Sequence, residues 1–547
     1  MAGQESPPPL LALPDPCLLE VLRCCAADDQ RSLSSAARAH SRLHQAAVLA
    51  LRSITVAITQ QQQMDGVLLY LSKHGQHLEC VSLKGQVDST VSLRQLHQAA
   101  VLALHSLTAD VPQQQQVDDV LLYLSKHGQH VECVHLKGQV DSTVSLRQLP
   151  HDLQLGSLQI DWLNVQLQPG DGFEGVLGAA ARAAALRQLR LNSCKLPYGN
   201  DGAAEGLAAA LSLLPAGLEH LSVRGLVTIS GGNVEFSTAM LQLLQQLTYL
   251  ELADMRLLGP DPQQPALQPL QALTRLVDLR LTSVFTSGSV EEPGSAVNVT
   301  ASMLTGMHNL TCLHLSSVGE VEPGAVAGKS KLQLLKLCRC NVSSGTAGVS
   351  ELLSHLQQLQ QLTHLTVSRT LTGPGAAPAA AYSALTASST LQHLDICLMA
   401  LPAGAWQHMF PVGRQLAHLQ YLNISSALNP EGDWIPAPEC SSLVSCCPSL
   451  QELDLLIRPQ CKPQLLAPLQ GLTGLHTLHM GGDEITADEV QAAGQLTGLR
   501  ELTLLTLNSI TAEVLLPLTE LLQLTALRLR GTVNGSWHMV ELTDKVG

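Results

Sequence analysis

The amino-acid sequence predicts an α/β solenoid, in which a curved parallel sheet of about 18 short strands follows a small N-terminal helical head. Three observations predict this fold. A leucine motif recurs along most of the chain, and residues 43–95 are repeated almost unchanged as residues 96–148. In addition, hydrophobic residues make up 45% of the chain but aromatic residues only 3%. Thin leucine layers that are shared between neighbouring repeats need little aromatic bulk, so the composition fits a repeat protein.

The first element is a short helical head. Residues 1–12 form a Pro-rich segment that we expect to be disordered, and residues 13–50 carry apolar side chains at helical spacing. The head opens with Leu-Pro, continues with paired leucines, passes an acidic turn at Asp29 and ends in an Ala-rich stretch. The residues that carry this pattern are Leu13, Pro14, Leu18, Leu19 and Leu22.

In that order of residues the head resembles an F-box. The resemblance implies that the five residues of the pattern bind a Skp-type adaptor of a cullin–RING ubiquitin ligase. Two positions depart from the family: Leu43 stands where a tryptophan is common, and Gln30 where a hydrophobic residue is usual. The alternative is that these helices only cap the first repeat, because a solenoid must shield its terminal face.

The second element, residues 51–540, is built from the repeated motif L-x-x-L-x-L, with a short tail at 541–547. Its starts are about 28 residues apart on average, and the motif resembles that of leucine-rich repeats, which implies a strand, a turn and a helical or irregular return in each unit. Alternation in segments such as 186–191 and 276–281 predicts the strands. Cys194 and Cys340 occupy the turn position where this family commonly has Asn or Cys.

The tandem block holds two such repeats in each copy. The copies differ at ten positions, so 43 of 53 are identical, which indicates a recent duplication. A duplicated exon and an error in the gene model would both produce it. In either case the copy keeps the repeat in phase only because 53 residues hold a whole number of structural units.

The strands also predict a binding surface. Counting from the first leucine of the motif, positions four and six point into the core, so positions three, five and seven face the concave side. That face carries equal numbers of acidic and basic residues, which places the formal net charge of −14 elsewhere. Because Tyr and Arg dominate many interfaces, and because basic residues lead in the N-terminal half, we expect an acidic partner segment there. The predicted contact residues are Lys84, Lys137, Arg190, Arg224, Tyr249, Arg280 and Tyr421.

No catalytic or metal-binding motif is expected. Residues 324–330 have the residue types of a phosphate-binding P-loop, but the glycine spacing is one residue short and Pro323 stands at the required glycine. His74, His77 and Cys80, with their copies, have zinc-ligand types, yet they straddle a helix end and a strand. We therefore predict no enzyme activity, no cofactor and no metal.

The sequence thus predicts a non-enzymatic interaction protein. Under the F-box resemblance it is the substrate-recognition subunit of an SCF-type ubiquitin ligase, and the alternative is a general cytoskeletal or ciliary scaffold. The pI near 5.8 argues against a nucleic-acid partner. The chain has no apolar run of about 18 residues and no signal-peptide pattern. We therefore expect no membrane partner and a place in the cytoplasm or nucleus, or at the axoneme or cytoskeleton under the alternative.

Overall fold

The computed structural model contains two compact units, Met1–Leu247 and Thr248–Gly547, each described here by itself. Every element, contact and distance below belongs to the described residues. These are residues 53–57, 80–84, 106–111, 132–138, 155–161, 185–196, 214–228, 235–259, 265–286, 296–343, 345–370, 377–399, 401–425, 437–456, 467–482, 485–506, 515–533 and 536–543.

The first unit is built on a parallel sheet. Its strands pair in the order β1-β2-β3-β4-β5-β6-β8, and β7 and β9 form a second, two-stranded parallel sheet. The strands are β1 (Ser53–Ala57), β2 (Cys80–Lys84), β3 (Ser106–Val111), β4 (Cys133–Gly138), β5 (Ser157–Asp161), β6 (Gln188–Asn192), β7 (Lys195–Leu196), β8 (His220–Arg224), β9 (Val227–Thr228) and β10 (Glu235–Ser237).

The second unit has the same construction. Its strands pair in parallel from β11 through β12, β13, β15 and β17 to β23, and β24 adds antiparallel to β23. A second small sheet pairs β14 with β16. The strands are β11 (Tyr249–Leu258), β12 (Asp278–Thr286), β13 (Cys312–Ser316), β14 (Glu320–Val321), β15 (Leu334–Cys338), β16 (Asn341–Val342), β17 (His364–Ser368), β18 (His393–Asp395), β19 (Tyr421–Asn423), β20 (Glu452–Leu456), β21 (Thr477–Gly482), β22 (Glu501–Thr506), β23 (Ala526–Val533) and β24 (Ser536–Thr543).

The leucine motif sets the register of both sheets. Equivalent motif positions are paired across neighbouring strands, as in Leu279 with Leu313 and Leu281 with Leu315. These four leucines are fully buried, each in register with the equivalent leucine of the neighbouring repeat. Their burial removes apolar surface from water, the main favourable term in folding. The predicted leucine-rich-repeat fold is confirmed.

The duplicated block forms two strands in each copy. β1 and β2 lie in the first copy, and β3 and β4 start 53 residues later in the second. The register agrees as well, since Cys80 pairs with Ser106 and its copy Cys133 pairs with Ser157. Each copy therefore supplies two strands to the sheet, one for each of the repeats predicted in it.

A residue in the left-handed backbone conformation follows the main strand in successive repeats. At position eight of the motif, φ lies between 49° and 56° in seven non-glycine residues of the described chain, Ser193, Asp254, Ser283, Ser317, Arg339, Arg369 and Leu398, and in Gly225. At position nine, the buried Cys194 and Cys340 thiols donate to carbonyls of the preceding repeat, the Ile160 and Leu315 oxygens. The predicted turn role of these two cysteines is confirmed, and Thr370 makes the same contact with Leu337.

The return segments of the second unit are short helices. The α-helices are α1 (Ala301–Leu304), α2 (Gly345–Leu356), α3 (Ala405–Met409), α4 (Ala437–Cys446) and α5 (Ala487–Gly494). The 3₁₀ helices Gln268–Ala272, Pro323–Val326 and Leu516–Glu520 have proline in their first turn, where the missing N–H costs no hydrogen bond.

Lys329, in the segment that resembles a P-loop, is a structural residue. Its side chain is only 3% exposed, and Nζ donates a hydrogen bond of 2.5 Å to the carbonyl of Leu304 at the end of α1. Burial lowers the pKa of Lys329. The amine is thus a second donor to the Leu304 carbonyl, beside the N–H of Met307 at 3.0 Å.

The structure describes the C-terminal strand β24 but not the predicted N-terminal head. The predicted head, residues 13–50, and the helices predicted at 64–73 and 117–126 lie outside the described residues. At the other end, β24 continues to Thr543, beyond the predicted end of the solenoid at 540, because its ladder with β23 extends to the pair Ala526 and Thr543. Within the described part of the chain, no helix combines the length and apolar character needed to cross a membrane.

Candidate functional site

The candidate site is the face of each main sheet formed by motif positions three, five and seven, here called the concave face after the repeat class. In β6 the pattern is clear: Leu189 and Leu191 are buried, whereas Gln188 and Arg190 are exposed and Asn192 is half-buried. Parallel pairing aligns these positions from strand to strand, so the exposed side chains form rows. The rows bring together residues that lie about one repeat apart in sequence.

On the first unit, Asp161 is the centre of a hydrogen-bond cluster. Its carboxylate contacts His135 Nε2 at 2.8 Å and accepts hydrogen bonds from Gln159 Nε2 at 2.9 Å and Asn192 Nδ2 at 2.8 Å. Burial raises the pKa of Asp161, but the hydrogen bonds outweigh it, so the net pKa is lowered. The carboxylate is therefore held by polar groups of three neighbouring strands.

Three of the predicted cationic contact residues lie on the same face of this unit. Lys137 of β4, Arg190 of β6 and Arg224 of β8 are all exposed. Arg190 Nε donates to His220 Nε2 on the next strand at 3.0 Å. Lys84 occupies the last position of β2, paired with Ala57 of β1. The positive charges of Lys137, Arg190 and Arg224 are thus carried by exposed side chains.

On the second unit, Tyr249 and Arg280 form one cluster with two carboxylates. Arg280 pairs with Asp278 through Nε at 3.0 Å and Nη2 at 2.8 Å, a two-pronged guanidinium contact. The same guanidinium lies 5.3 Å from the ring centroid of Tyr249, whose hydroxyl donates to Glu251 at 3.0 Å. The structure therefore brings two predicted contact residues together, although both already have partners within the sheet.

His314 continues this cluster on β13. Register places it between Arg280 of β12 and Lys336 of β15. Burial, reinforced by the positive charges of Lys336 and Arg280, lowers the pKa of His314 to about 4. Its imidazole is consequently neutral at physiological pH.

Farther along the sheet, three rings form a stacked column. His364, His393 and Tyr421 all occupy motif position three, and their strands pair directly. The ring centroids of His364 and His393 are 5.5 Å apart, and those of His393 and Tyr421 are 3.9 Å apart and nearly parallel. Burial, helped by the charges of neighbouring groups, lowers the pKa of His393 to about 4. The imidazole of His393, in the middle of this aromatic strip, is therefore neutral at physiological pH.

The strip ends at a polar cluster on β20 and β21. Tyr421 Oη donates to Asp454 Oδ2 at 2.9 Å, and the other oxygen of Asp454 forms an ion pair with His479. The hydrogen bond with Asp454 raises the pKa of His479, while burial raises that of the neighbouring Glu452.

A shallow pocket of about 220 Å³ opens beside this cluster. Arg528 lies at its rim and donates to Glu501 at 3.1 Å. The lining residues are Ser425, Asp454, Leu455, His479, Thr503, Leu505 and Arg528.

Sequence reasoning found some of these residues and missed their arrangement. Tyr421 was predicted as a contact residue, but the stack with His393 and the link to Asp454 and His479 were not. The sequence contains a signal for the stack, because His364, His393 and Tyr421 stand at the same position of successive motifs. The predicted adaptor contacts lie outside the described residues: Leu13, Pro14, Leu18, Leu19 and Leu22.

Comparison with known proteins gives structural matches only. No family model and no curated protein matches the chain. Among solved structures, a leucine-rich-repeat protein of Leptospira interrogans superposes with a TM-score of 0.49 and 14% identity over 86% of this chain and 99% of the other. The plant peptide hormone receptor RGFR1, solved with RGF2, gives 0.41 and 14% over 90% and 76%. TLR13, solved with ssRNA13, gives 0.41 and 16% over 85% and 62%.

Proposed function

We propose that the chain is a non-enzymatic protein-interaction subunit that binds a target protein on the concave face of its repeats. The observation that carries the proposal is the arrangement of that face. Its side chains stand in continuous rows over parallel strands, above a core of fully buried leucines. A rigid, extended surface of this kind is what repeat proteins use to bind other macromolecules.

The exposed cationic side chains of the first unit favour a target with an acidic segment. Lys137, Arg190 and Arg224 are exposed on one face, and the carboxylate of Asp161 among them is occupied by His135 and two amides. Long cationic side chains at a partly desolvated surface attract carboxylates and increase the rate of encounter.

Charge reversal tests this part. A target captured by the intact chain should bind Arg190→Glu or Arg224→Glu at least about tenfold more weakly, a loss of about 1.4 kcal/mol. Lys331→Glu is the matched control, because it makes the same charge change at an exposed site in the second unit, where Nζ contacts Asn309. Equal affinity of all variants, measured by titration calorimetry, would contradict the assignment of the target to this face.

The second part of the proposal concerns the head. Its F-box resemblance supports docking to a Skp-type adaptor, which makes the chain the substrate-recognition subunit of an SCF-type cullin–RING ligase in the cytoplasm or nucleus. Leu13, Pro14, Leu18, Leu19 and Leu22 would bury against the adaptor, and the apolar surface removed from water would stabilise the complex.

Co-purification with a recombinant Skp-type adaptor tests the head. The intact chain should capture the adaptor, and the double variant Leu18→Asp, Leu19→Asp should lose it. Arg190→Glu should capture it normally, since it changes only the concave face. Failure of the intact chain to capture any adaptor would reject the ligase role and leave the general scaffold, with the head as a cap.

A further inference from the structure

The residues Glu452, Asp454 and His479, here called the three-ligand cluster, lie on one surface of the second unit. Glu452 and Asp454 are two residues apart on β20, so their side chains point to the same side of the sheet. His479 of β21 is paired with Asp454 in register. One oxygen from each carboxylate and one imidazole nitrogen all lie within 4.8 Å of one another.

The second carboxylate distinguishes this cluster from the other carboxylates of the concave face, since Asp454 itself is also bonded, by Tyr421 and His479. Asp161 is occupied by His135 and two amide donors, and Asp278 by the guanidinium of Arg280. The three-ligand cluster instead combines two carboxylates with a single imidazole. Arg528, which lines the pocket beside the cluster, donates to Glu501 at 3.1 Å.

The cluster is also open and held in position. Asp454 and His479 line the 220 Å³ pocket, which gives a small ligand access from the solvent. Tyr421 Oη holds Asp454 from the other side at 2.9 Å, a contact of the kind that orients carboxylate ligands of metal ions. All three side chains are half-buried on strands rather than loops, so their positions are well defined.

We propose that the three-ligand cluster binds a divalent transition-metal ion of the zinc type. In a tetrahedral site with ligands about 2.0–2.2 Å from the ion, the ligand atoms lie roughly 3.3–3.6 Å apart. The three donor atoms here lie within 4.8 Å of one another, so side-chain movements of up to about 1.5 Å bring them around one ion. The imidazole selects Zn²⁺, Co²⁺ or Ni²⁺ over Mg²⁺ and Ca²⁺, which prefer oxygen ligands alone.

With three protein ligands, the ion keeps at least one coordination position for water or for a donor of a binding partner. The pocket beside the cluster lies on the concave face of the second unit. The metal site itself does not depend on the proposed function, since it is built entirely from residues of this chain.

The test uses the purified full chain with Zn²⁺ and Co²⁺ as probes and no partner present. Because the chain contains other histidines and cysteines, equilibrium dialysis of the wild type is compared with Asp454→Asn and His479→Gln. The matched control is Glu501→Gln, a carboxylate change on the adjacent strand β22 outside the cluster. Thermal unfolding of the metal-free proteins shows that each variant is folded.

The wild type and the Glu501→Gln control should bind one more equivalent of Zn²⁺ than the two ligand variants, whose affinity at this site should fall by at least about 100-fold. Bound Co²⁺ should show the spectrum of oxygen and nitrogen ligands, without a sulfur-to-metal charge-transfer band. Equal stoichiometry in wild type and ligand variants, or no metal bound at all, overturns the proposal. A Co²⁺ spectrum with thiolate charge-transfer bands would also overturn the proposal, if Asp454→Asn and His479→Gln lose those bands.

Discussion

At the scale of single residues, the turn after the strand stores conformational strain. Non-glycine residues with φ near +50° cost about 1–2 kcal/mol each, yet this conformation recurs from Ser193 to Leu398. It persists because the turn connects the backbone of successive repeats, as when Ser317 N–H donates to the Cys338 carbonyl at 2.8 Å. The repeat register thus overrides the local preference.

Substitution of Ser317 by glycine should therefore stabilise the protein. Relief of about 1–2 kcal/mol of strain exceeds the entropic cost of glycine, about 0.5–1 kcal/mol, so the net gain is about 0.5–1 kcal/mol. The control is Ser316→Gly, at an extended strand position, which should destabilise by the entropic cost alone. Comparison of thermal unfolding midpoints checks both, and a lower midpoint for Ser317→Gly would show that its φ carries no strain.

Protonation of His314 should make the free energy of unfolding depend on pH. Burial, together with the charges of Lys336 and Arg280, lowers its pKa to about 4 from the ordinary 6.5, against the opposing charges of Glu251 and Asp278. Between these values the unfolded chain binds a proton that the folded chain does not. The stabilisation is thus complete above pH 6.5 and is lost as the pH falls toward 4.

Accordingly, the unfolding midpoint of His314→Gln should fall less between pH 7 and pH 4.5 than that of the wild type. An NMR titration of the His314 imidazole gives its pKa directly. A titration midpoint near pH 6.5 for His314 in the folded protein would rule out its contribution to the pH dependence of stability.

At the scale of elements, β24 extends the sheet of the second unit beyond β23, the last of its parallel strands. β24 pairs antiparallel with β23 from Val533–Ser536 to Ala526–Thr543, and the two intervening residues are Asn-Gly, a dipeptide typical of two-residue hairpins. A terminal repeat must cover its otherwise open edge, because an unpaired strand can associate with other chains.

Truncation after Val533 should expose that edge. We expect a lower unfolding midpoint and concentration-dependent association, measured by light scattering or sedimentation. A chain that ends at Thr543 is the control, since it keeps the whole hairpin and loses only residues 544–547. A monodisperse truncated protein with an unchanged midpoint would show that β24 is not a cap.

At the scale of the whole molecule, stability is distributed over neighbouring repeats. Each repeat contacts mainly the next repeat on either side. The free energy of unfolding is therefore close to a sum of contributions from single repeats and from the interfaces between them. The tandem block is a natural test of that property, because β1 and β2 recur as β3 and β4 with the same register.

Deletion of residues 96–148 should leave a folded protein. Cys80 of β2 would take the partner that Cys133 now has, Ser157 of β5, so the register closes without a mismatch. Deletion of residues 109–148 is the control, because it starts within β3 and puts the repeats out of phase. Circular dichroism and limited proteolysis distinguish the two, and equal behaviour of both deletions would contradict the phase argument.

The sequence by itself determined the leucine-rich-repeat fold, the strand positions and the faces they present. Leucines at positions four and six fix which side of a strand is buried, as the burial of Leu279 and Leu281 shows, and the regular spacing aligns one repeat with the next. It also identified the turn role of Cys194 and Cys340. This information is local and repeated many times, so a short pattern is enough to predict it.

Only the tertiary structure decided which side chains of the concave face contact one another. His393 and Tyr421 stack at 3.9 Å although 28 residues separate them, and Asp454 takes its partners Tyr421 and His479 from two different strands. Motif positions define rows, but rotamers and side-chain length determine whether members of a row form a stack, an ion pair or the proposed metal site. Those choices depend on contacts between repeats, which residue types within one repeat do not specify.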